Sequence, residues 1–133
     1  MAEPIRKEAD FKSSPRRVYE ALLDAGQFSA LTGAPADIER SAGGAFSCFG
    51  GIITGRHVEL VPGKRIVQAW RVKAWPEGVY SIVSFELQPK DSGTRLTLTH
   101  DAFPDGMRAH LNGDMPQGGW DRQYLEPLRR YLG

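Results

Sequence analysis

The sequence has a single cysteine, Cys48, among 133 residues. An internal disulfide framework is therefore impossible, as is a zinc site built from several thiolates. A reducing compartment suits such a chain. Histidine is scarce as well: His57, His100 and His110 show neither an i, i+4 spacing nor an H-E-x-x-H setting, so no metal and no cofactor is expected. An excess of one charge is also missing, with 17 Lys and Arg against 16 Asp and Glu for a formal net charge of +1. Such a balance creates no overall field to draw the chain onto nucleic acid or an anionic membrane, and neither partner is expected. No run approaches the roughly 20 apolar residues that a membrane span requires. The first eleven residues carry Glu3, Arg6, Lys7, Glu8 and Asp10, unlike the apolar core of a secretory signal, which points to a cytoplasmic protein. Phosphate-binding loops are absent too. Gly43-Gly44 and Gly50-Gly51 belong to no G-x-x-x-x-G-K pattern and open no helix as G-x-G-x-x-G, and they read as hairpin turns.

What is present, 41% hydrophobic and 25% charged residues, suits one globular domain spanning 1–133. A chain of this size buries roughly two-thirds of the surface it exposes when unfolded, enough for one core. Residues 5–11 read as an edge strand. Ser13, Ser14 and Pro15 supply a hydroxyl N-cap and a first-turn proline, so a helix is expected there, with Val18, Ala21, Leu22 and Leu23 inward and Asp24 toward solvent, ended by Gly26. Residues 28–31 make a second short helix, closed by Gly33 and Pro35.

From Asp37 onward, short β-branched and aromatic runs alternate with glycine and proline turns, predicting strands over 36–40, 45–49, 52–60, 65–74, 79–88 and 95–101. Successive hairpins imply a mostly antiparallel meander. Alternation sets the faces. Ile66, Gln68, Trp70 and Val72 share one parity, as do Val79, Ser81, Val83, Phe85 and Leu87, and Leu96, Leu98 and His100, while Arg71, Lys73, Ser84, Glu86, Thr97 and Thr99 take the wet side. The apolar face needs a cover. Trp120, Tyr124, Leu128 and Leu132 stand four apart, so a helix over 116–132 can lie across the sheet, with a kink or a late start at Pro127. The result is an α+β fold in which a curved antiparallel sheet wraps a long C-terminal helix.

Candidate chemistry is thin. His100, beside Asp101, lies on the apolar face, and a hydrogen-bonded structural histidine is preferred to an acid or base, which would need a partner and a substrate within reach. Cys48 reads as buried filler rather than a nucleophile. Gly118-Gly119 before Trp120 could expose N–H groups to an anion, but a flexible entry to the last helix is preferred. Trp75, before Pro76, is the more exposed of the three tryptophans; with Arg71 and Lys73 it could form a protein contact, or simply pack under its own turn. Arg129 and Arg130 complement the negative end of the last helix.

Gly43-Gly44-Ala45-Phe46, the stretch from Val58 to Val67 containing Pro62-Gly63-Lys64-Arg65, Trp70-Arg71, Trp75-Pro76-Glu77-Gly78 and Gly119-Trp120 followed by Tyr124-Leu125 and Leu128 together form a recognisable pattern. It resembles the C-terminal domain of the activator of the 90-kDa heat-shock chaperone ATPase, within the START-like (SRPBCC) helix-grip superfamily. The resemblance covers the chain most closely from about Ala30 onward. It implies the helix-grip fold, a cavity between helix and sheet, and a heat-shock protein 90-type chaperone as partner in a stress response. In two-domain activators of this kind the C-terminal domain assists contact with the ATP-binding region of the chaperone.

Three functions follow as expectations. The first is a non-enzymatic, co-chaperone-like binding module using Arg71, Lys73 and Trp75. The second is a carrier or sensor of a small apolar ligand held by Phe46, Trp70, Val83, Leu98, His100, Trp120 and Tyr124. The last, an enzyme of cyclase or hydrolase type, would rest on His100 alone, so no catalytic residue is assigned.

Overall fold

The computed structural model describes residues 5–33, 35–51, 53–72, 78–101 and 124–132. Strand β1 (Ile5–Phe11) is followed by helices α1 (Pro15–Leu23) and α2 (Ala25–Thr32). Six further strands follow: β2 (Ala36–Ile38), β3 (Ala45–Cys48), β4 (Ile53–Val61), β5 (Arg65–Val72), β6 (Ser81–Lys90) and β7 (Gly93–Asp101). Helix α3 (Glu126–Leu132) closes the described chain. The strands form one seven-stranded sheet in the order β1-β7-β6-β5-β4-β3-β2. Every neighbouring pair is antiparallel, and the first strand lies against the last as an edge.

The short helices begin and end where their residue types allow. Ser14 caps α1, its hydroxyl accepting from the Arg17 amide at 3.3 Å, and Pro15 takes the first turn, where its missing N–H costs nothing. The helix stops at Leu23, three residues short of the expected Gly26. Asp24 is the reason: its amide donates to the Glu20 carbonyl, and its carboxylate accepts from the Gly26 amide at 3.0 Å, so one residue ends α1 and caps α2. Gly26 thus lies inside α2, which ends at Gly33 in the left-handed conformation with φ of 75°. Regular helix resumes at Glu126 after a π-helical turn at Tyr124 and Leu125. Pro127 follows that π-helical turn; residues 116–123 of the expected helix, and with them its start, lie outside the described residues.

Between the strands expected over 79–88 and 95–101, residue type makes Asp91-Ser92-Gly93 a glycine turn, and there the structure differs. Gly93 is not a turn residue with positive φ; Asp91 adopts that conformation with φ of 54°, and Gly93 begins β7. A Cβ there would collide with the Phe11 carbonyl of the neighbouring strand, so closeness rather than φ demands the glycine.

The core lies between the concave sheet face and the helices. Ile66, Trp70, Val83, Leu96 and Leu98 are fully buried from the sheet side, and Val18, Ala21 and Leu128 from the helix side. Burying each large apolar side chain contributes on the order of 2 kcal/mol. Tyr124 stands in the middle of an aromatic cluster, with ring centroids 5.4 Å from Phe28, 5.7 Å from Phe49 and 6.2 Å from Phe85.

Candidate functional site

Register brings the expected interior residues together. Trp70 on β5 faces Ser81 on β6, and Val83 on β6 faces His100 on β7. Because alternate side chains share a face, all four point inward with Leu98 and Phe46. His100 is fully buried and meets Trp70 edge to face, with ring centroids 4.8 Å apart. Its Nε2 lies 2.6 Å from Ser81 Oγ, and Ser81 Oγ lies 3.0 Å from the Trp70 carbonyl.

Proton counting fixes the roles in this network. Ser81 has one hydroxyl proton and the carbonyl can only accept, so the serine donates to Trp70. Ser81 Oγ then accepts from His100, whose Nε2 carries the hydrogen. A base that activates a serine needs a free lone pair at that nitrogen. In this arrangement the network satisfies the Ser81 hydroxyl and the His100 Nε2 within the buried core.

Tyr124 reaches the same region from the C-terminal segment. Burial raises its phenol well above the ordinary value, and a hydrogen bond with Trp70 opposes that rise. Cys48 is buried as well, and desolvation pushes its thiol up to about 12, which makes it an inert filler at neutral pH. Among the described residues, Leu22, Phe28, Ile38, Phe46, Cys48, Gln68, Phe85 and Tyr124 line an interior space of about 10 Å³. That is the volume of one water, far below the roughly 300 Å³ at which ligand pockets begin. Trp120 lies outside the described residues.

Sequence parity gave no special place to His57, yet it is 1% exposed. Neither of its ring nitrogens has a hydrogen-bond partner among the described residues. Its ring stacks on Phe46, with centroids 5.4 Å and planes 22° apart. Burial lowers its pKa, and the neighbouring Glu39 backbone and carboxylate pull weakly the other way without reaching hydrogen-bond geometry. Phe46 can lie there because Gly55 has no side chain: a Cβ on Gly55 would come within 2.8 Å of the Phe46 ring and would collide with the Ala69 carbonyl.

The outer sheet face is less wet than alternation suggested. Arg71 lies half-buried in one cross-strand row with Thr54 and Ser47, its Nε shielded from water, and Tyr80 is 42% exposed. Ile82, opposite Ala69, and Val58, at the register shift in β4, are 38% and 56% exposed. An open groove of about 580 Å³ lies along β2, β3 and the start of β4, lined by Asp37, Ser47, Thr54, Arg56 and Tyr80 among others. Lys73 and Trp75 lie outside the described residues. No group of metal-ligating side chains occurs among the described residues, and none of their helices is long and apolar enough to cross a membrane.

A curved antiparallel sheet closed over a C-terminal helix, with two short helices between the first and second strands, defines the helix-grip fold. The chain belongs to the family of Activator of Hsp90 ATPase homolog 1-like proteins, whose model matches residues 12–133. It is 31% identical over 129 residues to the human Activator of 90 kDa heat shock protein ATPase homolog 1, covering 97% of this chain and 37% of that protein. The chain thus spans little more than a third of the length of that curated relative. The structure of an HSP90 activator from Plasmodium falciparum superposes with a TM-score of 0.85 at 27% identity, covering 99% of this chain and 97% of that one. CalU16 from Micromonospora echinospora shares the fold, with a TM-score of 0.77 at 20% identity over 98% of this chain and 76% of that chain.

Proposed function

We propose that this chain is a non-catalytic binding module that docks onto a heat-shock protein 90-type chaperone through its outer sheet face, as a co-chaperone of the cytoplasm and the stress response. The observation that carries this reading is the close superposition on an HSP90 activator from Plasmodium falciparum. The outer face supplies suitable chemistry, since exposed aromatic and arginine side chains concentrate binding energy. Tyr80, Ile82 and Val58 give exposed apolar area, and the half-buried Arg71 adds a cation to the same strand region.

The rival expectations have less support. A carrier of an apolar ligand has only the one-water space described above to draw on among the described residues. For a cyclase or hydrolase, Ser81 and His100 are engaged with each other and with the Trp70 carbonyl.

The test is an NMR titration of isotope-labelled protein with the 90-kDa chaperone of the same organism. The expected shifts lie on amides of β4, β5 and β6 around Thr54, Arg71 and Ile82. Arg71→Ala with Tyr80→Ala should weaken binding by about tenfold or more. Absence of shifts at high concentration, or unchanged affinity in the double variant, overturns the assignment.

A further inference from the structure

The molecule carries almost no net charge, yet one end of it is strongly basic. Six exposed cations gather there from three separate parts of the chain: Lys12, Arg16, Arg17, Lys64, Arg129 and Arg130. Three tertiary contacts bring these parts together. The Ser13 hydroxyl donates to the Leu132 carbonyl at 2.9 Å, tying the start of α1 to the end of α3. Arg17 lies over the Tyr131 ring, 5.9 Å from its centroid. The β4–β5 turn sits against α1, where a Cβ on Gly63 would be 3.9 Å from the Arg16 Cα, and Lys64 follows directly.

Three carboxylates near this end are paired, while the exposed Glu126 in the first turn of α3 offsets one of the six positive charges. Asp10 is held by Arg95 at 2.9 Å and Lys90 at 3.2 Å, Glu20 by Arg40, and Glu59 by Arg65 at 3.1 Å. The six cations have no carboxylate partner among the described residues; Arg129 donates to the Asp10 carbonyl at 3.4 Å and lies over the Phe11 ring, 5.9 Å from its centroid. Crowding like charges at one place is unfavourable for the isolated molecule, and a negatively charged partner relieves it.

We infer that this basic end, formed by the start of α1, the β4–β5 turn and the end of α3, is a docking surface for an acidic segment of a partner polypeptide. A cleft of about 180 Å³ lined by Arg16, Tyr19, Glu20, Pro62 and Gly63 gives the segment a place to lie. The arginine forks can take carboxylates two oxygens at a time. Nucleic acid fits less well: single strands are held by open aromatic platforms, and Arg17 already covers the Tyr131 ring. This surface is separate from the outer sheet face and does not depend on the chaperone reading.

The experiment uses the full chain and a fluorescein-labelled peptide of glutamates, followed by anisotropy and by NMR. At low salt the peptide should shift amides of residues 12–17, 62–65 and 129–131, and added salt should weaken the complex steeply. Arg16→Glu with Lys64→Glu should reduce affinity by about tenfold or more. Arg6→Glu with Arg56→Glu changes the net charge equally at exposed positions on the sheet and should reduce it much less. If the first pair disturbs the fold, Arg16→Gln with Lys64→Gln replaces it, with a smaller but still larger loss than the control. No binding at low salt, equal losses in both pairs, or shifts elsewhere would overturn the assignment. So would tighter binding at the same amides of an oligonucleotide of equal charge or of anionic vesicles, which would mark a phosphate-binding surface instead. Because the probe contains no chaperone, its failure leaves the outer-face reading standing, and the reverse is also true.

Discussion

His100 and His57 occupy the same concave sheet face and are almost equally hidden from water, but the two walls that hold them are built differently. On the β6–β7 side, His100 is bonded to Ser81, and Ser81 to a backbone carbonyl, so burial leaves that link satisfied. On the β3–β4 side, the His57 ring is stacked on Phe46, and neither nitrogen has a hydrogen-bond partner among the described residues. A buried polar group with no hydrogen bond costs about 1–3 kcal/mol. Burial alone therefore says little about how a polar residue contributes; its partners decide the sign.

The largest expected effect comes from removing the glycine that lets Phe46 cover His57. Gly55→Ala drives a methyl into the Phe46 ring and the Ala69 carbonyl, and backbone cannot rotate away as a side chain can. Destabilisation of about 3 kcal/mol or more is expected, read as the urea midpoint. An unchanged midpoint would mean that the β3–β4 wall is soft.

Ser81→Ala breaks the comparison from the other side, because it deprives both His100 and the Trp70 carbonyl of a partner. A loss of about 2 kcal/mol is expected in the same assay. A neutral outcome would show that the hydroxyl contributes no more to His100 than packing does to His57.

His57→Leu sharpens the comparison, since nothing polar is lost except an unsatisfied group. Stability at neutral pH should stay within about 1 kcal/mol of the parent or rise above it. The pH profile carries the sign. Histidine ordinarily titrates at 6.5, and His57 lies below that when folded, so the unfolded chain binds more protons between the two values. Stability should fall as the pH drops below 6.5 and level off beneath the folded value. His57→Leu should flatten that limb, and a profile unchanged by the substitution would remove His57 as its cause.

The smallest effect belongs to the exposed Asp10, which separates a second acid limb from the first. Its hydrogen bond with Arg95, followed by that with Lys90, holds its carboxyl down to about 2 from 3.8. The contribution is complete above 3.8 and is lost as the pH falls through about 2. Asp10→Asn should erase that lower limb while leaving the one below 6.5 intact, as followed by circular dichroism in acid.

Much of the architecture was legible because it rests on period and punctuation. Alternation placed Trp70, Val83, Leu98 and His100 on one face, and Ser14-Pro15 and Gly33 marked helix ends that the structure keeps. The errors have local causes. Asp24 looked like a solvent-facing residue because its double use as terminator and cap depends on two backbone amides, which residue type alone does not show. Gly93 looked like a turn glycine because its real constraint, the Phe11 carbonyl, comes from a strand far away in sequence. The unsatisfied His57 required knowing the register shift between His57 and Glu59 and the ring that covers it. The basic end was invisible for the same reason. Arg129 and Arg130 fitted their own helix dipole, and only the contacts of α3 with α1 place them beside Lys12 and Arg17.

The pairing of the first strand with the last also governs how the fold can be reached in time. Phe11 meets Thr94 and Ile5 meets His100, so β1 finds its neighbour only after nearly the whole sheet has been made. On a ribosome adding about 5–20 residues each second, β1 waits for several seconds with an open edge before β7 emerges. Contacts of such long sequence separation place folding toward the slower part of the microsecond-to-second range. The charges that alternate along β1, at Arg6, Glu8 and Asp10, then act during that interval as well as afterward. They keep an unpartnered strand from joining the edge of another nascent chain.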